Sequence, residues 1–379
     1  MDLSHFPALD HHAHNLWKPE VAARRLFVAA FTEADDPAVL DRHARHTLFF
    51  RRSLRDLAAL LGCEPTESAV VAAREQLGWE ELARVCFTAA KLDAVLIDDG
   101  FLPDETLPLA WHARFVPVRR VLRLEALAQD LLAEVDDFAG FQERFRSALD
   151  PPPADVVAFK SIIAYRSGLA IEPVTRADAE ARFAALRPAA ARKPCRLADK
   201  VLLDFLVTQA LEVAARHRLP VQFHTGFGDP DLDLRLANPL HLHPLLEDRR
   251  YRNAPIVLLH ASYPSPREAG YLASVYPQVY LDLSLAVPFL SVAGMRDATR
   301  ALLELAPANK LMYSSDAHLS PTSTTSRRSG AGGCWERSWS SLSATATCRP
   351  RRPTRSRRPS CGGMPGRSMG WRNVPAWAA

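Results

Sequence analysis

The sequence lacks two features that would direct it into a membrane or out of the cell. No apolar run approaches the roughly 20 residues of a membrane-spanning helix, and no basic segment followed by an apolar one opens the chain. The six cysteines among 379 residues are scattered without a Cys-x-x-Cys pair, which argues against a disulfide framework or a zinc ribbon. We therefore expect a cytoplasmic protein with no membrane partner.

Acidic residues are almost absent from the last part of the chain. Residues 321–379 contain 11 Arg, no Lys and one acid, Glu336, a local net charge of +10 within a total of +4, so the first 320 residues carry −6. The basic balance belongs to this final segment alone. For the folded body we expect a small-molecule substrate and no nucleic acid, and we leave a homo-oligomer open.

The same final segment is poor in apolar residues. It has one Leu, one Val and no Ile, Phe or Tyr, so it cannot bury enough apolar surface to offset its ordering entropy. We predict that residues 321–379 are disordered. A composition of Arg, Pro, Ser, Gly, Ala, Cys and Trp is what a GC-rich gene gives when read out of frame, which indicates a frameshift near Pro321. The alternative is a basic tail that binds nucleic acid or acidic partners.

The first 91 residues are dominated by helical patterns. A short apolar lead-in reaches Asp10, and apolar spacing then predicts helices over 19–34, 37–61 and 66–91. Gly62 is a typical helix end, and Thr66 a typical helix start. This is more helix than one crossover needs, so we predict an insertion of about 75 residues, 17–91, after the first strand.

From residue 92, apolar segments alternate with helices. Such segments are typical of strands in a parallel sheet covered by helices. We predict strands over residues 92–98, 115–124, 155–164, 220–223, 255–259, 279–285 and 310–313. With the opening stretch there are eight, which indicates an α/β fold, a (β/α)8 barrel over residues 1–320. An open doubly wound sheet is the alternative, but no Gly-x-Gly-x-x-Gly turn supports it.

Metal-binding side chains cluster at the predicted strand ends. His12 and His14 are two residues apart on the first strand, so they point the same way and can bind one ion. His224, His260 and Asp316 end later strands. Since the carboxyl ends of barrel strands meet at one face, these residues predict a metal centre, with Lys160 of the fourth strand beside it.

The motifs around these residues resemble those of the amidohydrolase superfamily. The resemblance covers about residues 5–320 and rests on His12-Ala13-His14, Gln222-Phe223-His224-Thr225-Gly226, Leu259-His260 and Ser314-Ser315-Asp316-Ala317. Phe159-Lys160-Ser161-Ile162 and Tyr165-Arg166-Ser167-Gly168-Leu169 resemble the amidohydrolase-related branch more narrowly. That branch includes domains fused to glutamine-synthetase-like proteins.

The resemblance implies a ligand set and a chemistry. His12, His14, His224 and Asp316 would hold one divalent cation; three imidazoles and a carboxylate suit Zn, with Mn and Fe as alternatives. The metal would lower the pKa of a bound water toward ~7. Asp316 would accept a proton from that water and pass it to the leaving group. His260 would polarise the substrate carbonyl or steer the water.

Lys160 has three alternative roles. It could be carboxylated and bridge two metals, in which case His224 and His260 would belong to the second ion. It could be an ammonium that binds a substrate carboxylate, or a structural lysine paired with a nearby acid. The branch resemblance favours one metal.

Three further residues are candidates for substrate binding. Arg123 and Glu125 lie at the end of the third strand, and Arg166 follows the fourth. Arg binds carboxylates through two parallel hydrogen bonds, but the same residues could form salt bridges at the barrel rim.

We therefore predict a metal-dependent hydrolase that uses a metal-activated water on an amide or ester of a small carboxylate-bearing substrate, with C–N bonds other than peptide bonds as its targets. The alternatives are a metal-assisted decarboxylase, a uronate-isomerase-like enzyme, or an inactive barrel damaged at its C-terminus.

Overall fold

The computed structural model describes residues 8–193, 196–318 and 320–324. Its sheet has eight strands, and each pairs in parallel with the next along the chain. The strands are β1 (Ala8–His14), β2 (Leu92–Asp98), β3 (Val118–Arg123), β4 (Val156–Ser161), β5 (Val221–Phe223), β6 (Ile256–Leu258), β7 (Val279–Asp282) and β8 (Leu311–Met312). This arrangement confirms the predicted (β/α)8 barrel.

Two backbone hydrogen bonds connect the first strand to the segment after the last. The amide of Asp316 donates to the carbonyl of His12 at 2.9 Å, and the amide of His14 donates to the carbonyl of Ala317 at 2.8 Å. The seam between β1 and β8 is thereby bridged just beyond β8, where the side chains of His12 and Asp316 meet.

Helices surround the sheet and pack its outer face. They are α1 (Pro19–Ala22), α2 (Pro37–Arg42), α3 (Leu48–Leu61), α4 (Glu67–Ala90), α5 (Leu109–His112), α6 (Leu124–Glu134), α7 (Phe138–Leu149), α8 (Arg176–Ala190), α9 (Lys200–His217), α10 (His243–Glu247), α11 (Pro266–Val275), α12 (Ala286–Phe289) and α13 (Val292–Leu303). The main core lies between the strands and these helices, and it includes the fully buried Phe141, Phe145 and Phe159. Burial of each such ring contributes about 1.5–3 kcal/mol.

The insertion between β1 and β2 is helical as predicted, but less continuous. The helix predicted over 19–34 is a short α1 followed by a 3-10 segment, Phe27–Phe31. The helix predicted over 66–91 is α4, interrupted at Gly78, whose φ of 70° is not helical. The predicted boundaries are confirmed, because Gly62 ends α3 in the left-handed conformation and the Thr66 hydroxyl accepts a bond from Ala69.

This insertion is anchored at the site end of the barrel. Its aromatic core reaches the barrel through Phe49, whose ring centroid lies 4.6 Å from that of Phe289 in α12. Arg52 of α3 donates to the carbonyl of Leu290 at 3.0 Å and to that of Pro288. The strand predicted over 279–285 ends earlier, at Asp282, because Leu285 adopts a φ of 37° and α12 follows.

The chain continues to fold past β8. Residues 321–324 are helical, and the side chain of Thr322 is fully buried. Arg74 of α4 donates to the Ser320 hydroxyl at 3.0 Å. The folded body therefore extends four residues beyond the predicted boundary at 320. The rest of the predicted tail, residues 325–379, lies outside the described residues.

Among the described residues, no helix is both long and apolar enough to cross a membrane. Of the six cysteines, the described residues include Cys63, which is half-buried, and Cys86, which is buried.

Candidate metal centre

Two histidines of β1 meet one oxygen of Asp316. Nε2 of His12 lies 3.1 Å from Oδ1 of Asp316, and Nε2 of His14 lies 3.3 Å from the same oxygen. Zn–N bonds of ~2.0–2.1 Å in a tetrahedron place neighbouring ligand atoms about 3.4 Å apart. The spacing between Asp316 and each of the two histidines therefore fits neighbouring ligands of one cation.

The backbone at the site is strained. Asp316 and His260 have φ angles of 51° and 67°, in the left-handed region that favours glycine. Such residues cost about 1–3 kcal/mol each and persist only where their surroundings fix them. Here the Ser315 amide donates to buried Asp10 at 2.9 Å and the Asp316 amide donates to His12. Asp10 thus holds the turn that aims Asp316 inward.

His260 and His224 form a bonded pair beside this group. Nε2 of His260 lies 2.9 Å from Nδ1 of His224. The ligand atoms of His12, His260 and Asp316 all lie within 4.8 Å of one another, a group that leaves out both His14 and His224. The structure therefore brings together three of the predicted ligands, His12, His14 and Asp316, and places His260 closer to them than the sequence indicated.

A backbone approach fixes the position of His224. A Cβ added to Gly228 would lie 1.9 Å from the Tyr165 hydroxyl and 3.2 Å from Nε2 of His224. A side chain at this position would displace the Tyr165 hydroxyl, and the Tyr165 ring packs on His224 with centroids 4.5 Å apart. Nε2 of His224 is buried without a hydrogen-bond partner among the described residues, as expected for an atom that awaits a ligand.

Electrostatics favour neutral imidazoles and an ionised carboxylate. Burial, with help from the Lys160 ammonium, lowers the pKa of His12 to about 4. Burial also holds the pKa of His224 and of His260 well below the usual value. Burial opposes ionisation of Asp316, but the hydrogen bonds from His12 and His14 help to hold its pKa well below the usual range. These are the protonation states that bind divalent cations.

Lys160 lies within this group. Its Nζ is 3.3 Å from Nε2 of His12, and the side chain is almost fully buried. Burial lowers the pKa of Lys160 to about 8, against the attraction of Asp98 and Asp316. A partly deprotonated buried amine is compatible with carboxylation and with binding of an anion, so the structure leaves both predicted roles open.

Arg123 forms an ion pair with Asp98, which is not among the predicted site residues. Its Nε and Nη2 donate to Asp98 of β2 at 3.0 and 2.6 Å, and Asp98 is fully buried. Burial opposes ionisation of Asp98, but Arg123 and His14 outweigh it and keep its pKa well below the usual range. Arg123 forms the ion pair that was one of its two predicted roles.

Glu125 and Arg166 differ in their surroundings. Glu125 is buried and accepts a hydrogen bond from Ser161 at 2.6 Å, and burial raises its pKa. Arg166 lines the cavity over the site, and its Nε has no hydrogen-bond partner within the described part of the chain. Of the three predicted substrate contacts, Arg166 therefore combines a place in the cavity wall with a donor that is unpaired among the described residues.

Asp282, at the end of β7, is a second acid missed from the sequence. Its Oδ1 accepts the amide of His260 at 2.6 Å and the hydroxyl of Ser284 at 3.1 Å. Its Oδ2 accepts the hydroxyl of Ser314 and lies 3.4 Å from Nε2 of His11. The signal in the sequence was a carboxylate inside the apolar run Val279–Leu285, where an unpaired charge would be costly.

A cavity of about 490 Å³ opens over the cluster. Its wall combines His14, Lys160 and Asp316 with Glu33 of the insertion and Leu285 of the loop after β7. This volume is typical of small-molecule sites. The fold and site together define a barrel protein with a histidine and carboxylate cluster at the carboxyl ends of its strands.

The chain belongs to the amidohydrolase family, whose model matches residues 9–331. Protein fluG of Emericella nidulans is 35% identical over 351 residues; the match covers 83% of this chain and 40% of that protein. The chain thus spans about 40% of the length of this relative. The predicted amidohydrolase relationship is confirmed.

Solved structures agree with this assignment. A Lactobacillus casei protein described as a metal-dependent hydrolase is 31% identical, with a TM-score of 0.79, over 93% of this chain and 92% of that one. A uronate isomerase of Bacillus halodurans is 15% identical, with a TM-score of 0.60, over 93% and 89% of the two chains. The second likeness shows the shared fold alone. The chain has the fold of metal-dependent hydrolases.

Proposed function

We propose that this protein is a metal-dependent hydrolase that cleaves an amide or ester bond of a small carboxylate-bearing substrate. The observation that carries the proposal is the approach of His12 and His14 to one oxygen of Asp316 beneath a cavity of about 490 Å³. The likeness to the Lactobacillus casei protein supports a hydrolase. Targets on C–N bonds other than peptide bonds remain part of the proposal.

The residues present fit a divalent cation. His12, His14 and Asp316 would hold it, with His224 or His260 as the fourth protein ligand, and this mixed nitrogen and oxygen set suits Zn, or Mn and Fe. A bound cation supplies a Lewis acid that lowers the pKa of a water toward ~7.

Asp316 acts as the proton carrier in this proposal. Its carboxylate is ionised at neutral pH because the bonds from His12 and His14, acting against burial, help to hold its pKa well below the usual range. It accepts a proton from the attacking water and returns it to the leaving nitrogen or oxygen. His260, in the same cluster, holds His224 through a 2.9 Å bond between Nε2 of His260 and Nδ1 of His224.

Arg166 and Lys160 supply the positive charge that would bind the substrate carboxylate. Both line the cavity. Arg123 lines it too, but two of its donors bond to Asp98. A buried Lys160 ammonium attracts an anion strongly because little solvent screens it. Carboxylation of Lys160 would remove this charge and permit a second ion, so metal stoichiometry separates the two roles.

An inactive barrel, damaged by a frameshift near the end of the fold, is the competing hypothesis. Residues 321–324 are helical, Thr322 is buried and the amidohydrolase match runs to residue 331. We therefore propose that any change of reading frame lies after residue 324. Resequencing the locus and measuring the mass of the purified protein decide whether the tail is genuine.

Product analysis tests the proposed reaction. The purified protein, supplied in turn with Zn, Mn and Fe, is incubated with carboxylate-bearing amides and esters, with uronates and with aromatic carboxylic acids. We expect release of an amine or alcohol from the first group. Release of CO2 or conversion of a uronate, without hydrolysis, would replace the proposal by a decarboxylase or an isomerase.

A further inference from the structure

A chain of side-chain hydrogen bonds connects β7 to the two histidines of the cavity. Ser284 Oγ lies 3.1 Å from Oδ1 of Asp282 and 2.7 Å from Nδ1 of His260. Nε2 of His260 lies 2.9 Å from Nδ1 of His224. All four side chains are buried, so water does not compete for these bonds.

The donor and acceptor of each bond in this series follow from Asp282, where the series begins. A carboxylate oxygen only accepts, so the single hydroxyl proton of Ser284 is given to Asp282. The oxygen of Ser284 must then accept from Nδ1 of His260. A neutral imidazole has one N–H, so Nε2 of His260 is left as an acceptor.

The same rule extends to His224. Because Nε2 of His260 accepts, Nδ1 of His224 is the donor, and Nε2 of His224 keeps its lone pair. Nε2 of His224 has no hydrogen-bond partner among the described residues. Burial lowers the pKa of this imidazole, and the nearby Phe227 backbone raises it by less.

We infer that Asp282 and Ser284 are positioning residues that fix the tautomers of His260 and His224, so that His224 offers an unprotonated Nε2 as a ligand. In this arrangement His260 has no N–H left for a substrate carbonyl and serves as the connecting group. These tautomers of His260 and His224 are those of the metal-free protein. Only its consequence for metal affinity rests on the proposed function.

The first experiment reads the tautomers directly. Long-range ¹H–¹⁵N spectra are recorded on metal-free full-length protein with ¹⁵N-labelled imidazoles, and His224→Gln and His260→Gln assign the two rings. We expect the proton on Nδ1 of both rings in the wild type and in Ser284→Thr, which keeps the hydroxyl. In Ser284→Ala we expect a mixture of tautomers.

Ser314→Ala is the matched control. It removes a hydroxyl from the other oxygen of Asp282 and leaves the bonds to Ser284 and His260 in place. Its rings should keep the wild-type tautomers. A proton on Nε2 of His224 in the wild type, or unchanged tautomers in Ser284→Ala, would overturn the inference.

Metal titration supplies a second readout. Loss of a group that orients a ligand histidine costs about 10–100-fold in metal affinity, so Zn should bind Ser284→Ala that much more weakly. Ser314→Ala and Ser284→Thr should bind near the wild-type value. Equal affinities for Ser284→Ala and Ser314→Ala contradict the inference. A wild-type protein that binds no metal contradicts the proposed function. The tautomers of His224 and His260 would still test the roles of Asp282 and Ser284.

Discussion

His12 and Asp316 are joined twice, through their backbones and through their side chains. The Asp316 amide donates to the His12 carbonyl at 2.9 Å, and Oδ1 of Asp316 lies 3.1 Å from Nε2 of His12. The bond that bridges the barrel seam therefore also sets the distance between two proposed ligands. Stability of the barrel and integrity of the site are coupled at this point, which makes the site sensitive to the fold of the chain after β8.

Removal of the Arg166 guanidinium should weaken substrate binding. In Arg166→Met we expect KM for a carboxylate-bearing substrate to rise about 10–100-fold with little change in kcat, because a hydrogen bond to a charged group contributes about 1.5–3 kcal/mol. Steady-state kinetics measure both constants. Arg235→Met, an exposed arginine outside the cavity, is the control, and an unchanged KM in Arg166→Met would refute this role.

Loss of the acid that pairs with Arg123 should destabilise the fold. Asp98→Asn leaves a nearly buried guanidinium without its charged partner, which typically costs about 3–5 kcal/mol. Urea unfolding measures the change. The double variant Asp98→Asn/Arg123→Met removes both charges and should be more stable than the single variant. A cost below about 1 kcal/mol, the value of an exposed pair, would show that the pair contributes little.

Buried His112 should make stability depend on pH. Burial lowers its pKa from 6.5 to about 4, and its ring bonds to the Leu16 amide and the Pro108 carbonyl, both at 3.0 Å. The unfolded chain takes up a proton at a higher pH than the folded protein, so this stability is present above pH 6.5 and is lost as the pH falls toward 4.

A comparison with His112→Gln isolates this effect. The difference in unfolding free energy between wild type and variant should shrink by about 3 kcal/mol between pH 7 and pH 4. His243→Gln, at an exposed position, should show no comparable change. A difference that is constant with pH would contradict the proposed neutral state of His112.

The barrel and most of the cluster could be predicted because their signals are local. Alternating apolar strands and helices indicate the fold, and His12, His14 and Asp316 stand at strand ends that a barrel brings together. The interruption at Gly78 and the early end of β7 were missed, because neighbouring residues kept the apolar pattern.

The supporting acids were missed for a different reason. Asp98 bonds to a residue 25 positions away, and Asp282 bonds to Ser314, 32 positions away. Such partners are adjacent only in the folded barrel, so the apolar runs around these acids indicate burial but not the residues to which they bond. The same limit applies to the pairing of His260 with His224, which changes the grouping of the predicted ligands.

The central claim is that His12, His14 and Asp316 form part of a metal site, and metal analysis tests it most directly. Elemental analysis of the purified full-length chain, after dialysis against a weak chelator, should find one divalent ion per chain, or two if Lys160 is carboxylated. His12→Ala and Asp316→Asn should lose that ion while their circular dichroism still shows a folded barrel. A wild-type chain without stoichiometric metal, or a His12→Ala chain that retains it, would contradict the account.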